Sequence, residues 1–230
     1  MINLESLEKV GASKFGSHFT KPLYHDYCFS NIPETIKKLL GAESMHALPE
    51  SILKGLPEQY DKIVLFYIDA LGWKSMEQHL ETHPLLGRIE KEGVISKITS
   101  QFPSTTAPHV VSIHSGCPVG ESGIYEWYMY DPKLDSIISP LLFNFAGSEE
   151  RNTLQNAGLQ PEDLFPPRSL YKELKTENIT SFVYQSRDYT PSPVTEAAFE
   201  GTQVLPFTSL AEVCMALLRD LKANEGPAYH

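Results

Sequence analysis

A hydroxyl or a carboxylate does chemistry when its surroundings favour its charged form, so such residues are most telling at the ends of elements. The stretch Phe102–Gly116, FPSTTAPHVVSIHSG, sets Thr105 and Thr106 between two prolines, directly before an apolar run able to start a helix. Earlier in the chain the apolar segment KIVLFYI, beginning at Lys62, runs into Asp69 and breaks at Gly72. A carboxylate at a strand end and a hydroxyl at a helix start suggest a site that activates an oxygen nucleophile on a metal. The unpaired N–H groups of a helix start stabilise anions, including phosphate, and a coordinated divalent ion favours loss of the hydroxyl proton. Both residues also suit plain structural roles, Asp69 as a turn carboxylate in DALG and Thr106 as a helix cap before Ala107-Pro108.

The elements that must position this pair follow from the pattern around it. Ile63–Ile68 has apolar residues without alternation, as in a central strand covered on both faces. Val94–Thr99 is a second strand candidate, Thr180–Tyr184 a third, and Glu121–Asp131 reads as a turn and a short aromatic strand able to pair with Lys133–Ile138. Helices are expected from Ile32 to Gly41, with Asn31 as cap and Pro33 in the first turn, and over 49–56, 73–80, 84–92, 108–114 and 169–174. The clearest amphipathic helix covers 209–223, where Leu210, Val213, Leu217, Leu218 and Leu221 recur at helical spacing. Residues 144–158 and the Pro-, Thr- and Ser-rich 187–202 read as loops, and residues 1–30 as an extended, aromatic-rich arm on the body. Gly226–His230 starts what reads as another strand, one expected to contribute little by itself. Alternating strands and helices predict an α/β fold, a mostly parallel central sheet flanked by helices in a single domain over 1–230. Ligands of such sheets bind beyond the carboxyl ends of the strands, where Asp69 is expected.

Composition narrows the function classes. With 29 acidic against 19 basic side chains and Lys37-Lys38 as the one adjacent basic pair, the net charge of −10 lacks the footprint of a nucleic-acid binder. No run approaches the ~18 apolar residues of a membrane span. The N-terminus has no apolar secretory core, and Cys28, Cys117 and Cys214 lie far apart with no CxxC pairing, so the expectation is reduced thiols in a cytoplasmic protein.

YIDALGW followed by FPSTTAPHVVSIHSGCPVGESGIYEWYMYDP resembles the type I phosphodiesterase/nucleotide pyrophosphatase branch of the alkaline phosphatase superfamily. Members of that family show a strand ending in Asp, then FP-S/T-x-T-x-P, then G-x-x-P-x-E-x-G-I, in this order, and the match spans roughly residues 62 to 132. The resemblance implies an alkaline phosphatase-like fold and hydrolysis of small phosphate esters with two divalent ions, zinc foremost. It implies Thr106 as the nucleophile, forming a covalent phospho-enzyme, and Asp69 as a ligand of the ion that Thr106 also binds. Thr105 is the lesser candidate, since the family's reactive hydroxyl stands two residues before the proline. Two positions depart from the family pattern. Trp127 stands where nucleotide-hydrolysing members carry a phosphate-contacting Asn, and Gly120-Glu121-Ser122-Gly123 lacks the His of their turn. Trp127 thus becomes a candidate pocket wall or stacking platform, with a buried sheet position as its structural alternative, and His109 a further candidate near the site. The family's remaining metal ligands follow in a D-x-x-x-H segment and an Asp-His pair beyond the position of His230, so the chain is expected to be an amino-terminal part holding half of one metal site. The competing expectations are a non-catalytic domain that binds a partner or the remaining half, with a sheet edge that favours homo-oligomers, and an unrelated α/β binding domain.

Overall fold

The computed structural model describes residues 1 to 230. Asn3 accepts from the Ser6 N–H at 3.2 Å and caps α1 (Leu4–Ala12), which buries Ser6 and Val10. β1 (Lys14–Phe15) and β2 (Phe19–Thr20) then form a small antiparallel hairpin. The arm expected to be extended is therefore partly helical, because an Asn cap, a first-turn acid and Val10 on the inner face are enough for two turns. Parallel bridges from Ile2 to Ile95 and from Cys28 to Thr99 tie both its ends to the segment expected as a strand at 94–99, which makes isolated bridges and no continuous strand.

α2 (Ile32–Leu39) carries Pro33 in its first turn as expected, but Asn31 does not cap it; its amide donates to the Asp26 carbonyl at 2.7 Å. A 3-10 turn at Glu50–Leu53 replaces the helix expected over 49–56. β3 is confined to Lys62–Ile63, with one further bond from the Leu65 N–H to the His230 carbonyl, 2.8 Å. Phe66 and Ile68 are 71% and 59% exposed, so this apolar run is not covered on both faces. The reason is position: β3 is an edge strand, and its one neighbour pairs with it over only a few residues.

α3 (Trp73–His79), α4 (Pro84–Glu92), α5 (Thr106–Ser115) and α6 (Val119–Ser122) follow. Gly116 ends α5 in the left-handed region, φ 72°, where its lack of a Cβ avoids strain. β4 (Met129–Asp131), β5 (Ser136–Ser139) and β6 (Asn144–Phe145) form an antiparallel three-stranded sheet, so the aromatic segment does pair with the segment after it. α7 (Thr153–Asn156) is the helical piece of the next loop, and α8 (Leu170–Thr176) leads into β7 (Thr180–Ser186).

The segment read as a loop at 187–202 contains α9 (Pro193–Ala198), held by a capping box in which Ser192 and Thr195 exchange hydrogen bonds. β8 (Gln203–Phe207) was hidden by Pro206, which an edge strand tolerates. α10 (Leu210–Ala223) and β9 (Ala228–Tyr229) complete the chain. Val213, Leu217 and Leu221 of α10 are half-buried while Leu210 and Leu218 are exposed, so the helix is real but its inner face is narrower than the leucine pattern suggested.

The main sheet has four parallel strands in the order β3-β9-β7-β8 and is flanked by helices, a mixed α/β architecture. β9, expected to contribute little, sits between β3 and β7, and Ala228, Tyr229 and His230 are buried. Tyr229 belongs to the largest core cluster with Ile36, Leu170, Tyr171, Leu174 and Val183, which welds α2 and α8 to the sheet. A smaller cluster of Ala107, Val111 and Ile124 seats α5. No helix is long and apolar enough to cross a membrane.

Candidate active site

α5 is buried on most of its circumference: Ala107, Pro108, His109, Val111, Ser112, Ile113 and Ser115 are all covered. Thr106, Val110 and His114, four residues apart on one stripe, face a cavity of about 560 Å³. The Thr105 side chain makes no capping bond, so the first N–H groups of α5 are not claimed by it.

The loop before α5 is anchored from two sides. The Phe102 N–H donates to the Tyr24 hydroxyl at 3.0 Å, which ties it to the amino-terminal arm. Gln101, 1% exposed, donates through Nε2 to the Pro108 carbonyl (3.3 Å) and accepts through Oε1 from the Val119 N–H (2.8 Å), fastening the loop to the starts of α5 and α6. His109 completes the brace. Its Nε2 accepts from the Gln101 N–H at 3.0 Å, which puts the ring proton on Nδ1, and Nδ1 donates to the Thr105 carbonyl at 2.7 Å. Burial lowers the His109 pKa, partly opposed by the Thr105 carbonyl and the Asp69 charge. With both ring nitrogens engaged and the ring packed edge-on to Phe29 at 4.8 Å, His109 lies in the support of the site and not on the cavity wall. Nothing in the sequence singled out Gln101; a lone glutamine carries no spacing signal.

Asp69 reaches the same cavity from the other side. It follows β3 at the carboxyl end of the sheet, where its Oδ1 accepts from the Ala70 N–H at 2.9 Å and Ala70 takes a left-handed φ of 59°. That turn aims Oδ2 at Thr106, whose Oγ1 donates to it at 3.5 Å. Tyr67, tilted against Phe29 at 5.6 Å, stands beside them, its hydroxyl pKa pushed up to about 12 by burial and by the Asp69 carboxylate. Thr105 points elsewhere, its Oγ1 donating to the Tyr125 carbonyl at 3.5 Å.

Trp127, half-buried, lines the cavity together with Phe165, Tyr189 and Phe207. Tyr184–Ser186 from β7 and Phe207 from β8 bring the carboxyl ends of two strands to its wall, the location expected for a parallel sheet. His114 also faces it, its Nδ1 2.6 Å from the Tyr171 hydroxyl; desolvation pushes its pKa down to about 4, so the ring is neutral at pH 7. The two cations of the lining are both paired. Arg168 donates to Glu34 and, at 2.7 Å, to Glu173, and Lys172 meets Glu200 at 2.5 Å. The sequence singled out Asp69, Thr106 and Trp127, which all line this cavity; it passed over the 162–172 and 184–207 walls, which share no motif and come together only through the sheet.

Two oxygens at ~2 Å from one tetrahedral zinc ion stand ~3.3 Å apart, so the Asp69–Thr106 separation of 3.5 Å suits one edge of such a site. No group of three or more His, Cys, Asp or Glu side chains converges in the chain.

No curated protein and no solved structure matches the chain. The sequence model of the family described as type I phosphodiesterase / nucleotide pyrophosphatase matches residues 63–208, more than half of the chain, and the matched segment holds Asp69, Thr106 and Trp127. On that match the chain belongs to the type I phosphodiesterase / nucleotide pyrophosphatase family.

Proposed function

We propose that this chain carries the nucleophile of a phosphohydrolase of alkaline phosphatase-like fold, acting on phosphate esters through Thr106 with Asp69 as its partner. The observation that carries the reading is the 3.5 Å approach of Thr106 Oγ1 to Asp69 Oδ2 at a helix start on the rim of the cavity. Family membership supports a phosphodiesterase- or pyrophosphatase-type activity.

Asp69 and Thr106 would hold one edge of a divalent-ion site. The ion, when bound, supplies the positive charge that favours the ionised hydroxyl. Thr106 Oγ1 forms a bond to phosphorus while the bond to the ester oxygen breaks and that oxygen leaves with the electron pair. Water then cleaves the Thr106–phosphate bond and restores the hydroxyl. The first N–H groups of α5 point their dipoles at the charge building on the phosphoryl oxygens.

The test compares Thr106→Ala with Thr106→Ser on bis(4-nitrophenyl) phosphate in the presence of zinc. Loss of turnover in the first and partial retention in the second is expected; unchanged turnover in Thr106→Ala sinks the nucleophile assignment. A second reading, a non-catalytic domain that binds a partner, is favoured by the lack of a converged metal-ligating cluster and by exposed apolar side chains such as Leu210 and Met215. Zinc titration separates the two: tight stoichiometric binding lost in Asp69→Asn counts against the second.

A further inference from the structure

The amino-terminal hairpin is the part of the chain that packing explains least. β1 and β2 are joined by Gly16-Ser17-His18, and their register sets Phe15 directly opposite Phe19. Directly opposed residues point to the same face of a hairpin, so the two rings share one face. Neither ring is covered by the body: Phe15 is 73% and Phe19 68% exposed, and every residue from Lys14 to Lys21 is exposed. A two-stranded hairpin alone is marginal in water, and this one is clamped at its base. There the Lys21 N–H donates to the Ser13 carbonyl at 3.0 Å, and the Ser13 hydroxyl donates to the Lys21 carbonyl at 2.8 Å. The Ser13 N–H in turn donates to the Lys9 and Val10 carbonyls, which seats the base on the end of α1.

Charge gives an independent observation. The chain has a net charge of −10, yet no Asp or Glu occurs between Glu8 and Asp26. Lys9, Lys14 and Lys21 all fall in that interval, and none of them forms an ion pair. Lysine is depleted at contacts between proteins, where aromatic residues and arginine are enriched, so bare rings among unpaired lysines do not have the composition of a protein interface. They suit a bilayer surface. Rings enter the boundary between headgroups and acyl chains, and lysine stems lie along apolar surface while their ammonium groups stay at the phosphates. The three residues from Ser13 to Phe15 lift the turn by roughly 10 Å. That is about one Debye length at physiological salt, so acidic groups of the body farther from the lipid are largely screened from it.

We infer that the β1–β2 hairpin docks this chain reversibly on an anionic lipid surface. Phe15 and Phe19 enter the bilayer boundary, and Lys9, Lys14 and Lys21 meet the lipid phosphates. The inference is independent of the assignment of Thr106 and calls for no membrane-spanning element.

Sedimentation of the chain with vesicles of phosphatidylcholine, with and without phosphatidylglycerol, tests it. Binding is expected to the mixed vesicles and should weaken as salt is raised, because the lysine contribution is screened. Lys14→Gln and Lys21→Gln should each lower the partition coefficient about fivefold. Phe15→Ala/Phe19→Ala should lower it at least about tenfold and leave the thermal midpoint unchanged, since neither ring supports the core. Phe15→Trp adds an indole whose emission should be that of an exposed ring in buffer and should shift to the blue on mixed vesicles. Absence of binding to the mixed vesicles, or binding that neither the lysine nor the phenylalanine variants weaken, overturns the inference. So does added indole emission already blue-shifted without lipid, or a midpoint lowered in Phe15→Ala/Phe19→Ala, since either would mean that protein covers the rings. A dimer in buffer that Phe15→Ala/Phe19→Ala dissociates overturns it as well, in favour of a second copy as the occupant.

Discussion

Thr106 Oγ1 lies 3.5 Å from Asp69 Oδ2 although the two residues stand 37 positions apart in the sequence. Asp69 is set by the left-handed turn at Ala70, Thr106 by the buried seat of α5. If the two act as one unit, their losses should not add. Asp69→Asn is expected to reduce turnover at least about 100-fold, and Asp69→Asn/Thr106→Ala to be little worse than Thr106→Ala alone. Initial rates on bis(4-nitrophenyl) phosphate check it; additive losses would separate the residues.

The turn at Ala70 stores strain, because a β-carbon at φ 59° crowds the following backbone. Ala70→Gly relieves it but frees the unfolded chain, so the net gain should be at most about 1 kcal/mol. Denaturant melts measure the stability. Turnover should fall if the strain also holds the Asp69 side chain in place.

Glu34 is the most buried member of the network that closes the cavity wall. Its side chain is 5% exposed, pairs with Lys37 and Arg168, and accepts from the Met45 N–H at 2.8 Å. Glu34→Ala leaves two cations facing each other without this carboxylate and is expected to cost about 3 kcal/mol in urea melts.

Glu173 makes the same network sensitive to acid. Burial by itself would raise its pKa, but hydrogen bonds from Arg168 and Lys37 outweigh burial and hold it below the ordinary carboxylate range. Its folded pKa is thus depressed, so its contribution is present above the unfolded pKa and fades as pH falls through the folded value. Glu173→Gln should be less stable than the unaltered chain at pH 7, and the difference should shrink steadily below pH ~4.

His114 gives a second window at higher pH. Its folded pKa of about 4 lies under the ordinary value of 6.5, so the unfolded chain binds the extra proton first. Stability is therefore complete above pH 6.5 and declines as the pH falls towards 4. Nuclear magnetic resonance should find the ring neutral at pH 5.5, bonded to the Tyr171 hydroxyl. A ring protonated at that pH would place it outside the closed part of the cavity.

Gln101 tests the support beneath the nucleophile. Gln101→Ala strips the partner from the part-buried Val119 N–H and removes the side-chain bond to the buried Pro108 carbonyl, at a cost of about 1 kcal/mol. The thermal midpoint should fall, and kcat should fall more than KM rises if the loop before Thr106 is loosened.

What the sequence by itself determined was local: an Asp after an apolar run, a Thr at a helix start behind a proline, a glycine that ends the helix, and the helices over 32–39, 84–92 and 210–223. These depend on caps, proline, glycine and short-range periodicity, which are written within a few residues. The motif around Asp69 and Thr106 also pointed to the family. Tertiary structure decided what depends on distant partners. It placed the apolar run 63–68 at a sheet edge, where pairing lasts only a few residues and Phe66 and Ile68 stay exposed. It gave the inconspicuous β9 a central place, because a parallel strand is stabilised by the two neighbours it finds and not by its own length. It turned His109 into a brace by closing both its nitrogens. And it assembled the cavity from walls 20 to 100 residues beyond Thr106, since a pocket is a property of surfaces meeting across a sheet, which no residue spacing encodes.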